Sequence, residues 1–335
     1  MKKIFKSLAV TLALVSAGTT AFAADYQNRI IRFGYGLSED SNQGRAAKFF
    51  AEDLAKRTGG KLRMKGFASA SLGSDMQMQN ALVGGAQEMM VGSTATLVGI
   101  VSDFGVYDLP FVFRNEREAD AILDGPFGQA LMNKLQDKGL VGLVYWENGF
   151  RNLTNSKRPI TKMEDLQGIK LRVMQNPVYI DMFKGFGANA VPLAFSELFT
   201  ALETGTVDGQ ENPVTTIQSS KFYEVQKYLS LTKHVYSPWI VLASKKWWDG
   251  LNNDERKAIH ESAVAARDFE RKDTREASAK AIDFLKSKGM QITVVSDKEI
   301  ERMQETTRQA MYKFANDGHT KLIKDLQAEL EKLRK

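Results

Sequence analysis

The 335-residue chain has no cysteine, 7 prolines and 3 histidines. Without cysteine there is no thiol nucleophile, no thiolate zinc site and no disulfide framework. A chain this long can bury a core without disulfides, so their absence is compatible with export. His234, His260 and His319 are too far apart for H-E-x-x-H or another short metal-ligand spacing. His260 and His319 stand in charged helical stretches and are expected at the solvated surface. No G-x-S-x-G elbow and no Walker A sequence occurs. Gly34-Tyr35-Gly36 begins like a dinucleotide fingerprint, but Glu39 occupies the third glycine position. No catalytic, metal or cofactor set emerges. Long apolar runs are also missing, and nothing reaches the roughly 18 residues a membrane span needs.

What is present describes an exported globular protein. Forty-three per cent of the residues are hydrophobic and 26% charged, enough for a sizeable core in about two domains. The net charge is +6, but the signs are mixed along the chain with no basic stripe, which argues against nucleic acid. Lys2, Lys3 and Lys6 precede the apolar run Leu8–Val15 and the A-x-A site Ala21-Phe22-Ala23. That pattern predicts a cleaved signal peptide over 1–23 and a Gram-negative periplasmic location. Its removal takes away three lysines and no acid, lowering the charge to +3.

Strand and helix patterns alternate. Strands are expected at Ile30–Phe33, Leu62–Phe67 and Glu88–Val91, with helices over Asn42–Thr58 and Asp75–Val83 between them. This spacing predicts βαβ units and a mainly parallel sheet. A second group holds strands at Leu140–Trp146, ended by an E-N-G turn, at Ile169–Met174 and at Thr206–Asp208. A helix over Ser196–Thr204 lies between the last two. Asp254–Lys288 contains neither Gly nor Pro and predicts a helix of about 50 Å that ties two lobes together. Gln291–Val295 reads as a late strand, followed by charged helix.

Two arginines and an asparagine fall at expected strand ends, where α/β sheets bind ligands. Arg151 follows the Leu140–Trp146 strand and its turn, Arg172 lies late in its strand, and Asn212 is expected to cap a helix before Pro213. Guanidinium forks and helix N-termini both favour a carboxylate. A surface ion pair and a plain helix cap remain the alternative reading of the same residues.

Several motifs resolve this choice: N-G-F-R at Asn148–Arg151, G-I-K-L-R-V at Gly168–Val173, V-P-L-A-F-S-E-L at Val191–Leu198, V-D-G-Q-E-N-P at Val207–Pro213 and K-F-Y-E-V-Q-K at Lys221–Lys227. Together with S-L-G-S-D at Ser71–Asp75 and the long helix, they closely resemble the solute-binding subunit of tripartite ATP-independent periplasmic (TRAP) transporters. The resemblance implies a bilobed α/β periplasmic binding protein with two mixed sheets flanked by helices and a long helix spanning both lobes. Lobe I would comprise 24–148 and 235–275, and lobe II 149–234 and 276–335 with the C-terminal helices. It also implies a monomeric, non-membrane-spanning receptor that closes on an organic acid. The partners implied are a small and a large membrane subunit, with uptake driven by an ion gradient.

Carried over residue by residue, the resemblance assigns the ligand carboxylate to Arg172, Arg151 and Asn212, and ligand packing to Phe195. Contacts to ligand hydroxyls are expected from Glu39, Asn42, Asp75, Gln79, Ser93, Asn148 and Gln210. Relatives that take sialic acid carry an acid where this chain has Ser93. A plain aliphatic acid would leave so many polar groups unpaired at about 1–3 kcal/mol each. The stretch Asn148–Pro159 resembles members that take hexuronates. The expected ligand is therefore D-glucuronate or D-galacturonate. Another organic acid, a periplasmic enzyme acting on a sugar acid, or a receptor serving a sensor kinase are the rival readings.

Overall fold

Alternating and fully apolar runs become ten strands in a computed structural model that describes residues 24–335. The expected signal peptide lies outside the described residues. The first sheet contains β1 (Arg29–Gly34), β2 (Leu62–Phe67), β3 (Met89–Ser93), the first part of β4 (Leu140–Asn155) and β9 (Tyr236–Ser244). Its order is β2-β1-β3-β9-β4, with β1 parallel to β2 and β3, and β9 antiparallel to β3 and β4. The second sheet contains the end of β4 with β5 (Lys170–Val173), β6 (Asn189–Pro192), β7 (Gly209–Pro213), β8 (Tyr228–Leu231) and β10 (Gln291–Val294). Here β7 and β8 flank β4 in antiparallel pairs, while β5 lies parallel to β6 and β7, and β10 parallel to β8. The sheets are mixed, because β9 inserts antiparallel where a mainly parallel sheet was expected.

The strand β4 belongs to both sheets. It pairs with β9 as far as Phe150 and with β7 from Arg151 onward. The expected turn at Glu147-Asn148-Gly149 is instead a bulge inside one 16-residue strand. Gly149 takes φ +112°, a conformation that favours glycine. The strand read at Thr206–Asp208 lies later, at Gly209–Pro213, so Asn212 is inside β7 and the helix cap falls to Pro213.

The long helix forms as one piece, Asn253–Ser287, 35 residues or about 52 Å. Asn252 accepts the N–H of Glu255, whose carboxylate accepts the N–H of Asn252, a reciprocal cap that fixes where it starts. Ala258, Ile259, Ala263 and Ala266 pack into the core around Phe33, Phe50 and Trp146. Ala281 and Leu285, further along, join the core around Leu202, Ile217 and Phe222. One helix thus shares two hydrophobic cores.

The C-terminal stretch is two helices, Asp297–Phe314 and Thr320–Arg334, kinked where Gly318 takes φ +98°. The first puts Met303 against Tyr179 and Phe183, and the second puts Leu326 and Leu330 against Phe104 and Leu131. His319, expected at the surface, is buried at this kink. Its ring stacks on Phe314 at 4.1 Å, and its Nε2 lies 3.0 Å from Ser102 Oγ. Among the described residues no helix is long and apolar enough to cross a membrane, and no cluster of His, Asp and Glu could hold a metal ion.

Candidate functional site

A cavity opens where the ends of β3, β5 and β7 approach the middle of β4. It is lined by Asp75, Ser93, Asn148, Arg151, Arg172, Phe195 and Asn212 among others. The enclosed space is narrow, since centres of water molecules could occupy about 50 Å³ of it. All four residues assigned to the ligand carboxylate and its packing therefore share one wall system, with three of the seven assigned to hydroxyls.

Arg172 is 2% exposed, and its Nε donates to the carbonyl of Leu193 at 2.9 Å. No carboxylate lies within ion-pair distance of it among the described residues. Burial pulls its pKa down to about 10, Arg151 adds to this, and Glu211 and Asp75 oppose it. A buried, unpaired guanidinium on a cavity wall is costly unless an anion joins it.

Arg151 is fully buried but differently placed. Its Nε and one terminal N–H donate to the two carboxylate oxygens of Glu211, the second at 2.8 Å, and that terminal N–H also reaches the Glu211 carbonyl. Its other terminal nitrogen approaches Ser237 Oγ at 3.4 Å. Burial disfavours the charge on Arg151, yet Glu211 outweighs burial and raises its pKa. Burial likewise opposes the charge on Glu211, but Arg151 and His234 hold its carboxyl below the ordinary value. His234 Nε2 stands 3.1 Å from Glu211, and burial keeps the imidazole pKa low.

The other assigned residues divide. Asn212 donates to Gln210 Oε1 at 2.5 Å, and Gln210 donates to Thr154 Oγ1 at 2.8 Å, so Gln210 stands behind the wall and supports Asn212. Asn148 Oδ1 accepts the Thr216 hydroxyl at 2.9 Å. Asp75 Oδ2 accepts the Ser93 N–H at 2.8 Å, and burial raises its pKa. Gln79 is buried behind Thr96, to which it donates at 2.7 Å. Asn42 is buried off the cavity, donating to Thr274 Oγ1, and Glu39 is exposed to solvent.

The reading of the sequence missed Glu211, Thr216 and Trp239. Glu211 sits inside the quoted V-D-G-Q-E-N-P motif. Period-two alternation puts it on the face opposite Gln210 and Asn212, the signal from which a separate role could have been read.

The model of the DctP family, bacterial extracellular solute-binding protein family 7, matches residues 33–317. The 2,3-diketo-L-gulonate-binding periplasmic protein of Escherichia coli K12 is 40% identical over 295 residues, 88% of this chain and 90% of the relative. Among solved structures, the sugar acid binding protein DctPAm of Advenella mimigardefordensis, in complex with galactonate, aligns with TM-score 0.90 and 48% identity. That match covers 92% of this chain and 99% of the other. A TRAP periplasmic solute-binding protein of Chromohalobacter salexigens with bound D-glucuronate aligns with TM-score 0.86 and 29% identity, over 89% and 99%. With a bilobed α/β fold, a helix shared by both cores and a match over most of its length, this chain belongs to the DctP family of TRAP solute-binding proteins.

Proposed function

We propose that this protein is a periplasmic receptor that captures a six-carbon sugar acid by closing two lobes and delivers it to the membrane subunits of a TRAP transporter. The observation that carries this reading is Arg172, a buried cation on the cavity wall with no carboxylate partner among the described residues. A ligand carboxylate supplies the missing charge with Asn212 beside it, and Asn148, Ser93 and Asp75 offer partners to hydroxyls. Lobe I is taken as 24–148 and 235–275, and lobe II as 149–234 and 276–335. The exchange of β4 partners between Phe150 and Arg151 supports a hinge there. The helix Thr320–Arg334 adds a further tie across it. Because the ligand touches both lobes, it favours the closed form, and release returns it unchanged.

Two sugar acids compete. The motif Asn148–Pro159 favours a hexuronate, D-glucuronate or D-galacturonate. The relatives at 40% and 48% identity carry open-chain six-carbon acids in their names, which favours an aldonate such as galactonate. Titration calorimetry against glucuronate, galacturonate, galactonate, sialic acid, succinate and a 2-oxo acid tests the reading. Submicromolar binding of a uronate or aldonate is expected. Tight binding of only succinate or a short aliphatic 2-oxo acid would overturn the sugar-acid assignment and keep the family.

A further inference from the structure

Among the described residues, three ionisable side chains line the cavity: Asp75, Arg151 and Arg172. Arg151 is closed into a bidentate pair with Glu211, so the two together add little net charge to the space. What remains is one cation, Arg172, facing one anion, Asp75. Asp75 is the first residue of the helix Asp75–Gly84, whose Ser74 cap and free N–H groups suit a carboxylate. Its Oδ2 accepts the Ser93 N–H, while Oδ1 has no hydrogen-bond donor among the described residues. A Cβ on Gly36 would stand 3.7 Å from that Oδ1 and 4.0 Å from Phe195 Cδ1. A Cβ on Gly92 would press to 3.0 Å of the same carboxylate. Gly92 thus makes room for Asp75 at the wall, where Gly36 and Phe195 are ordinary neighbours, and among the described residues Oδ1 has no donor of its own.

We infer that Asp75 sets the number of carboxylates on the ligand: it accepts a ligand hydroxyl and rejects a second carboxylate, so the receptor takes sugar monocarboxylates and excludes the matching diacids. This rests on the reading that the cavity holds a sugar acid. One ligand carboxylate cancels Arg172, and no unpaired cation remains for a second. A hydroxyl near Asp75 brings the donor that Oδ1 lacks, whereas a carboxylate there sets two like charges together in a site largely closed to water. Burial already weighs against the charge on Asp75, so the site has little tolerance for another. A discriminating acid opposite the anchoring arginine is how one cavity can bind an anion and still refuse a dianion.

The test uses the uronate or aldonate that binds tightest in the panel above, its matched aldarate, and the mono-amide of that aldarate. Calorimetry on the purified protein should find the aldarate about 100-fold weaker than the monocarboxylate, as expected for like-charge juxtaposition. The mono-amide should recover most of the loss, and this comparison needs no variant. Asp75→Asn, checked by a thermal melt, should narrow the gap between monocarboxylate and aldarate at least about tenfold, since its amide has no charge to repel. Aldarate binding within about threefold of the monocarboxylate, a mono-amide as weak as the aldarate, or an unchanged gap in folded Asp75→Asn would each overturn the inference. Failure of every sugar acid to bind the wild-type protein would instead overturn the functional reading beneath it.

Discussion

Glu211 takes two N–H groups of Arg151 on its two carboxylate oxygens, and this pair decides which arginine of the cavity is free to hold an anion. Both partners are fully buried, Arg151 also lies over the Tyr179 ring at 5.6 Å, and His234 approaches the same carboxylate from behind. A buried pair adds little net stability over a well-packed apolar pair, but breaking it strands a charge. Glu211→Gln is expected to lower unfolding free energy by about 3–5 kcal/mol. Urea unfolding reads this directly, and a loss under about 1 kcal/mol would mean that Arg151 finds another partner.

Arg172 has the opposite profile. Truncating it should cost affinity and cost little stability, because the unliganded protein already bears the burden of an unpaired buried cation. Arg172→Ala is expected to weaken sugar-acid binding by about 2–5 kcal/mol, roughly 30-fold to several thousandfold. Arg172→Lys should also weaken it, since an ammonium lacks the planar fork. The melting temperature of unliganded Arg172→Ala should match or exceed that of the wild type. Near-normal affinity in both variants would remove Arg172 from the role of anchor.

Local patterning made much of this architecture legible. Ala46, Phe50 and Leu54, spaced four apart, mark the helix Asn42–Arg57, and all three are fully buried. The strand Leu62–Phe67 and the long helix follow their sequence signals to within a residue or two. What escaped depends on distant partners. The Glu147-Asn148-Gly149 step has the composition of a turn, yet the strand continues through it. The Glu147 N–H is taken by Glu270 at 2.7 Å, from a helix 123 positions away. The strand Tyr236–Ser244 is buried throughout and has no alternation to reveal it, and its place between β3 and β4 is a tertiary matter. His319 looks solvated in a charged segment, and only the kink at Gly318 turns it onto Phe314. In the site, the arginines, Asn212 and Phe195 came from motifs. The division of labour between Arg151 and Arg172 did not, because it depends on where Glu211 points.

Exposure makes Glu39 a clean negative case. The family resemblance of the loop Glu39–Asn42 and its polar side chains suggested a hydroxyl contact, but the side chain is solvated and off the cavity wall. Glu39→Gln is expected to leave sugar-acid affinity within about twofold, as surface changes away from a site do. Asn148→Ala should weaken binding by about 1–2 kcal/mol, since it removes a wall amide and leaves the Thr216 hydroxyl without its acceptor. Calorimetry on the two variants side by side makes the comparison. A larger loss from Glu39→Gln than from Asn148→Ala would mean that the cavity wall is drawn in the wrong place.

Glu270 ties the same bulge to pH. It is fully buried, accepts the Glu147 N–H and the Thr274 hydroxyl, and burial pushes its pKa up to about 8 from an unfolded value of 4.5. Between those values the folded protein keeps a proton that the unfolded chain has lost. Its contribution to stability is therefore complete below pH 4.5 and is lost as pH rises toward 8. His234, whose pKa is depressed, works in the other direction, but only below 6.5. Above that pH the slope belongs to buried acids with raised pKa: Glu270, Asp108, which burial also pushes up to about 8, and Asp75 and Glu147, which burial shifts the same way. Glu270→Gln imitates the protonated acid: its carbonyl can accept the Glu147 N–H and its amide can donate to Thr274. The variant should match the wild type near pH 4.5, where the side chain is largely uncharged in either state, and exceed it by about 1 kcal/mol or more at pH 8, given at most about 1.4 kcal/mol per pH unit for one proton. Urea unfolding at both pH values decides it, and parallel pH dependences for the two proteins would show that Glu270 is ionised in the fold after all.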